Sequence, residues 1–259
     1  MKLKVCTWNI SEGIEGTCNL DSIKEKELSE SNLLNSIIPV IKENDFDIVC
    51  FQEFPVDKDS IDVISNKIVE NTELKYFILH PTCPSYLFKG GNVGVALFSK
   101  YPLSNINKLY FKNPNLEKVS KSGHIYHSFD KGIICASINI DGTIVSLVTG
   151  HAIAFLPFGC TEFDYPESYI PLEDIICEKY KSDLIVMGDF NTDKLYSLIP
   201  SIKGKVIDTV NYNTTYPYYE NRGPIKVDYI LISSNLKCSE SYSIDSLSDH
   251  LVCVSVIEK

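Results

Sequence analysis

Asp189 and Asn191 stand one residue apart at the end of an apolar run, LIVM at 184–187, closed by Gly188. An ionised carboxylate only accepts hydrogen bonds, whereas a carboxamide both accepts and donates. Side by side they suit a site that holds a water or hydroxide on one side and a phosphate oxygen on the other. The plainer reading of Asp-Phe-Asn is an Asx-turn capping a loop, and these residues alone leave both readings open. Other strand-like runs deliver residues of the same kind: Asn9 after KLKVCTW, Glu53 after DIVCFQ, His151 after TIVSLVTG, Asp228 ahead of YILIS, and Asp249-His250 ahead of LVCVSV. Each has a dull alternative, Glu53 as a solvated strand end and His151 as a satisfied core histidine. Asp228 is harder to dismiss, because a carboxylate inside an apolar strand needs a partner. His250 is the candidate for that partner.

The elements that must position these residues are mostly strands. Alternating or continuous apolar runs predict strands over 3–10, 47–53, 75–80, 92–99, 106–111, 125–129, 133–140, 143–149, 184–188, 226–232, 238–244 and 251–256. Leu33, Leu34, Ile37, Ile38 and Ile41 recur at helical spacing, with Pro39 expected to kink or end that helix. Ser60 is placed to cap a helix carrying Ile61, Ile64 and Ile68, and further helices are expected over 169–180 and 195–199. The glutamate-rich stretch 11–30, the turn-rich 81–91, the Phe/Pro/Gly-rich 154–167 and the tyrosine-rich 211–221 are expected to be loops. Strands with a few helices between them, and no repeat or linker-like break, predict one α+β domain over 1–259. Its expected architecture is two packed sheets with helices outside.

Composition narrows the function. Hydrophobic residues are 44% and charged residues 22% of 259, which is ordinary for a globular chain with a large core. No apolar run is long enough to span a bilayer. The chain goes from Met1 straight into a strand, so no signal peptide is expected. Nine cysteines is an odd number, and none falls in C-x-x-C spacing. Cys6, Cys50, Cys135 and Cys253 sit in apolar runs, where free cysteine behaves as a small hydrophobe. Reduced thiols in a cytoplasmic protein are therefore expected, and a zinc site lacks its ligand spacing. The net charge of −10, with Arg222 the sole arginine, argues against tight non-specific binding to nucleic acid. It does not exclude a nuclease that meets its substrate through a metal ion.

The sequence resembles the endonuclease/exonuclease/phosphatase family, the deoxyribonuclease I-like superfamily. The resemblance is carried by TWNI at 7–10, FQEF at 51–54, GNVGVALFSKYPL at 91–103, TGH at 149–151, GDFN at 188–191, KVDYILIS at 226–233 and SDH at 248–250. These occur in family order along nearly the whole chain. It implies a four-layer α/β/β/α sandwich with the active site in a cleft between the ends of the two sheets. It also implies roles. Glu53 is similar to the principal ligand of a divalent metal, Mg²⁺ with Mn²⁺ as a substitute, and Asn9 and Asp249 match positions close to that metal. Asp228 and His250 match a carboxylate–imidazole dyad. Asp189 matches the group that aligns the attacking water, Asn191 a donor to a phosphate oxygen, and His151 the histidine that stabilises the phosphorane or protonates the leaving oxygen.

There are departures from the family pattern. Thr149-Gly150-His151-Ala152 stands where abasic-site endonucleases carry Tyr-x-Pro-Asn, and Gly150 displaces a usual threonine. Few basic residues are available to the cleft: Arg222 and Lys226 are candidate substrate-binding residues, with Lys89 and Lys100 behind them. Tyr216, Tyr218 and Tyr219 offer faces for a base to stack on. The expected activity is metal-dependent hydrolysis of P–O bonds by in-line attack of water, with nucleic acid as the substrate. The alternatives are a small-molecule or lipid-headgroup phosphoesterase and a catalytically silent binding module. No obligate protein partner is expected.

Overall fold

A computed structural model describes residues 1–13, 30–56, 63–85, 91–119, 123, 125–217 and 223–259, with side chains described from residue 34 onward in the second of these segments. In chain order the elements begin with β1 (Lys2–Asn9), α1 (Glu30–Asn44), β2 (Ile48–Val56), α2 (Val63–Asn71), β3 (Tyr76–Pro84) and β4 (Asn92–Ser99). They continue with β5 (Ser104–Tyr110), β6 (Glu117–Val119), β7 (Ile125–His127), β8 (Gly132–Ile140), β9 (Thr143–His151) and α3 (Ile170–Lys179). The last are β10 (Asp183–Asp189), α4 (Leu195–Leu198), β11 (Val206–Asp208), β12 (Asp228–Ser233), β13 (Lys237–Ile244) and β14 (Val252–Glu258).

The strands form two six-stranded sheets, ordered β13-β14-β1-β2-β4-β3 and β11-β12-β10-β9-β8-β5, with β6 and β7 making a separate hairpin. Both large sheets are mixed: β1 runs parallel to β2 and β9 parallel to β10, while the other neighbouring strands are antiparallel.

Strand alternation sorts the apolar side chains into three cores, and these define four layers. Leu3, Val5, Ile48, Cys50, Val95 and Leu97 of the first sheet meet Ile134, Ala136, Leu147, Ile185, Met187 and Ile230 of the second in a central core. Cys6, Trp8, Val49, Phe51 and Phe98 point the other way, onto Leu34, Ile37 and Ile41 of α1 and Ile68 of α2. Val148, Leu184, Val186 and Leu231 pack outward on Leu172, Ile175 and Ile176 of α3. The fold is the expected α/β/β/α sandwich.

Local expectations fare unevenly. Helix α1 does not stop at Pro39 but runs on to Asn44. Its apolar face is held by the core, and this outweighs the backbone hydrogen bond lost at proline. β3 extends through Pro84, further into the expected loop 81–91. The short β6 and β11 have no counterpart in the apolar pattern: β6 is exposed throughout, and β11 is three residues long. The side chain of Leu33, the Ser60 cap, Ile61 and most of the stretch 11–30 lie outside the described residues. Among the described residues, no helix is long and apolar enough to cross a membrane.

One glycine pair is fixed by close approach. Gly188 of β10 lies opposite Gly150 of β9 in parallel register. It holds φ at 155°, and a Cβ there would sit 2.1 Å from the Gly150 carbonyl oxygen. A neighbouring backbone atom cannot swing aside, so this contact demands a glycine. Gly188→Ala is expected to destabilise the protein by about 3 kcal/mol or more, the upper range for overpacking. Gly204→Ala, with open space around its Cβ but φ at +80°, is expected to cost about 1 kcal/mol. Urea denaturation of the two variants checks the difference.

Candidate active site

The sheets converge on a cleft because of strand parity. Along β10, Ile185 and Met187 face the central core, so Asp189 faces the same side, at the end of the strand. By the same count Asn9 follows Leu3 and Val5, His151 follows Val145 and Leu147, and Asp228 precedes Ile230 and Ile232. β12 runs antiparallel to β10 with Asp228 paired to Asp189. β14 runs antiparallel to β1 with Cys253 paired to Thr7. The starts of β12 and β14 therefore lie at the finishing ends of β10 and β1. That geometry brings Asp249 and His250 to the same place.

Glu53 reaches the cleft through an irregularity. Phe51 pairs with Ala96 but Phe54 with Gly94, so β2 carries one extra residue there. Phe51 and Phe54 both pack in the helix-facing core. In a regular strand Glu53 would share the face of Phe51 and be buried among aromatic rings. The bulge, with Glu53 at φ 51°, turns its carboxylate toward the opposite sheet instead.

Asp189 is the centre of the cluster. It is 1% exposed. Its Oδ1 accepts the Asn191 backbone N–H at 2.9 Å, and its Oδ2 accepts Asn9 Nδ2–H from the other sheet at 3.0 Å. The Asx-turn reading and the chemical reading are thus compatible: one carboxylate oxygen caps the turn and the other faces the cleft. Around Oδ2 stand His151 Nε2 at 3.6 Å and His250 Nε2 at 3.8 Å. Glu53 Oε1 lies 3.9 Å from His151 Nε2. Burial, then the Asp228 charge, push the Asp189 carboxyl up to about 7.

The partner that Asp228 required is present. His250 Nδ1 lies 2.9 Å from Asp228 Oδ2. Burial disfavours charge on His250, but the Asp228 carboxylate and its hydrogen bond, with Asp189 and Asp249 nearby, outweigh it and raise the imidazole to about 10. His250 is therefore an imidazolium at neutral pH. Tyr216 stacks on the ring with centroids 4.6 Å apart, and its hydroxyl bonds Asp249. The expectation of Tyr216 as an open platform changes accordingly, since one of its faces is occupied by His250. His151 is the opposite case. Burial, with Lys131 and His250 adding to it, holds its pKa well below the usual value, so it is neutral. The two histidines differ in charge by their surroundings.

Small hydroxyl residues organise the remainder. The Ser11 N–H donates to Asn9 Oδ1 at 3.0 Å and its hydroxyl donates to Asp249 Oδ1, tying together two residues expected near a metal. The Ser248 hydroxyl donates to the Asn9 carbonyl at 2.7 Å. Thr215 Oγ1 accepts both the Val227 and Asp228 N–H groups, at 2.9 and 3.0 Å. Asn191 uses one side-chain N–H on the Ala152 carbonyl, leaving the second for a ligand. Ser11, Thr215 and Lys131 carry no local signal of these roles, because their partners are distant in the chain; Ser248 lies within SDH at 248–250.

Not every basic candidate joins the cluster. The Lys226 ammonium is held by Asp208 and the Val210 carbonyl, 4.8 Å from the Tyr229 ring. Those partners take up its charge, so the expectation of a phosphate contact is not carried forward. Lys100 pairs with Asp45 and Asp47 beside the start of β2, the opposite end from Glu53. Arg222, Lys89, Tyr218 and Tyr219 lie outside the described residues.

Asp189, Asp228 and His250 offer atoms within 4.8 Å of one another, a spacing open to a metal ion. The bond from His250 Nδ1 to Asp228 instead marks them as a proton-linked group. The oxygen donors Glu53, Asn9 and Asp249 are the better fit to a hard divalent cation. Glu53 is the most open of the charged cleft residues, with its side chain 33% exposed.

A family model described as "Endonuclease/Exonuclease/phosphatase family" matches residues 6–250. No curated protein matches the chain by sequence. Among solved structures, an endonuclease/exonuclease/phosphatase from Beutenbergia cavernae DSM 12333 superposes with a TM-score of 0.71 at 15% identity, covering 99% of this chain and 71% of that one. A family protein from Leptotrichia buccalis C-1013-b gives 0.68 at 18% identity, over 99% and 100% of the two chains. The human Nocturnin catalytic domain with bound sulfate anion gives 0.67 at 18%, over 99% and 94%.

Removal of the Thr215 hydroxyl tests how the cluster is held. Thr215→Val leaves two buried N–H groups without their acceptor, expected to cost about 2–4 kcal/mol. Thr215→Ser keeps the oxygen and is expected to cost less than about 1 kcal/mol by the same reasoning. Chemical denaturation of both variants is the check.

Proposed function

This chain belongs to the endonuclease/exonuclease/phosphatase family, and on that premise we propose that it is a Mg²⁺-dependent phosphoesterase that hydrolyses phosphodiester bonds of nucleic acid. The observation that carries the reading is the buried Asp228–His250 pair facing Asp189 across 3.8 Å, with Glu53 on the opposite sheet. Burial and Asp228 raise the Asp189 carboxyl to about 7, while Asp228 keeps His250 charged, and an in-line displacement at phosphorus needs such a proton acceptor beside a charged donor.

Asp189, with a carboxyl near 7, is suited to align and deprotonate the attacking water. His250 is fixed and charged by Asp228, so it serves as a cationic donor to a phosphoryl oxygen rather than as the base. The spare N–H of Asn191 offers a second donor, and His151 a neutral third. Glu53, Asn9 and Asp249 would hold the cation, Mg²⁺ or Mn²⁺. When bound, it supplies charge neutralisation at the phosphate. A reducing, cytoplasmic setting agrees with the described cysteines, all of which are free thiols.

A compact phosphoester, such as a nucleotide or a lipid headgroup, is the second reading. It is favoured by the net charge of −10 and by the commitment of Lys226 and Lys100 elsewhere, since a polyanion gains most from free cations at the rim.

A substrate panel with Mg²⁺ and EDTA arms separates these readings: plasmid, single strands, end-blocked oligonucleotides, nucleotides, inositol phosphates and sphingomyelin. Cleavage of an oligonucleotide that stops in EDTA and returns with Mg²⁺ is expected. Glu53→Gln is expected to lower the rate by about a hundredfold or more. Undiminished turnover in EDTA would overturn the metal assignment, and turnover confined to the small esters would select the second reading.

A further inference from the structure

Lys131 lies between elements that pin its backbone. Its carbonyl accepts the Phe111 N–H at 2.9 Å, and the next residue, Gly132, pairs with Tyr110 in the β5–β8 ladder. Asp130 before it accepts Asn113 Nδ2–H at 3.0 Å. The half-buried ammonium is thereby carried to 3.4 Å from His151 Nδ1. Among the described residues no carboxylate forms an ion pair with it.

We propose that Lys131 is a positioning residue that fixes the proton of His151 on Nε2 and so aims that N–H into the cleft. An ammonium carries donors and no acceptor, so its contact with Nδ1 is attractive only when Nδ1 presents a lone pair. His151 is 4% exposed, and little water is at hand to satisfy the ring in the other tautomer. The far nitrogen then bears the hydrogen. It faces Asp189 Oδ2 at 3.6 Å and Glu53 Oε1 at 3.9 Å. Both distances are too long for hydrogen bonds, so the Nε2–H is not spent on either carboxylate.

The consequence for chemistry rests on the phosphoesterase reading. With Glu53, Asp189 and Asp228 present, the cleft is rich in acceptors. A phosphoryl oxygen entering it needs donors. The Nε2–H tautomer supplies one, whereas the Nδ1–H tautomer would turn a lone pair toward that oxygen and repel it. Lys131 thus converts a neutral imidazole from an ambiguous group into a donor of fixed direction, without touching the substrate itself.

The test is ¹⁵N NMR of ring-labelled histidine in the full-length protein with Mg²⁺ at neutral pH, with His151 assigned by loss of its signals in His151→Gln. Expected are a protonated Nε2 and an unprotonated Nδ1 in the wild type. Lys131→Met is expected to lose that preference and Lys131→Arg to retain it, with the His80 signals unchanged as a check on folding. A wild-type ring protonated on Nδ1, or a pattern indifferent to Lys131→Met, overturns the proposal. Kinetics on a nitrophenyl phosphodiester add a second readout. Lys131→Met should lower kcat about tenfold or more with little change in KM, and Lys131→Arg should recover most of it. A change in KM alone would make Lys131 a direct phosphate contact and overturn the positioning role. Absence of turnover on any ester by the wild type would defeat the phosphoesterase reading, while the ring-nitrogen pattern would still decide the role of Lys131.

Discussion

Asp189 carries a carboxylate with 1% of the residue's surface exposed, placed where two sheets meet. A charge in that position must be answered by hydrogen bonds and by opposite charge, or it shifts toward its neutral form. Asn191 answers from its own turn, Asn9 from the facing sheet, and His250 from the segment before the last strand. Each answer fixes another residue. Asn9 is held in turn by Ser11, Ser11 binds Asp249, and His250 is gripped by Asp228, whose backbone hangs on Thr215. The cleft is a chain of such obligations running out from one carboxylate. It is left incomplete at buried Asp228 Oδ1, which has no partner among the described residues.

Backbone strain gathers around the same centre. Ser11, Glu12, Glu53 and Asn191 all hold positive φ, between 46 and 52°. Such conformations cost about 1–3 kcal/mol each for residues with a Cβ and persist only where the surroundings over-determine them. Here the surroundings are the hydrogen bonds just described and, at Glu53, aromatic packing of Phe51 and Phe54 on either side of the bulge, with ring centroids 5.5 Å apart. The core spends part of its packing energy on directing one glutamate.

Much of this was legible in the chain because strand parity is a strict rule. Once LIVM at 184–187 is read as a buried strand, the side on which Asp189 emerges is settled two residues at a time. The same holds for Asn9, His151 and Asp228. The two faces of each sheet, and the cores they build, follow from the same alternation. What the chain concealed depends on distant contacts. Nothing near Lys131 signals that it will meet a histidine on the next strand over, and nothing near Lys226 signals that Asp208 will take up its charge. The direction of Glu53 depends on a bulge that the run FQEF does not announce. At Pro39 the expectation that the helix ends early gave way to a buried helix face that carries α1 on to Asn44.

The order of strands has a bearing on assembly. β14, the last strand, does not add to an edge; it slots between β1 and β13, and the residues just before it bring Asp249 and His250. Until that strand docks, β1 has its partner on one side only, and Asp228 stands without the imidazole that balances it. The α3-facing sheet is complete without it, yet its half of the cleft then lacks the imidazole that faces Asp189 and Asp228. The paired cleft therefore forms only when β14 is in place, and a chain cut before Asp249 would keep Asp228 but lose the histidine that partners it.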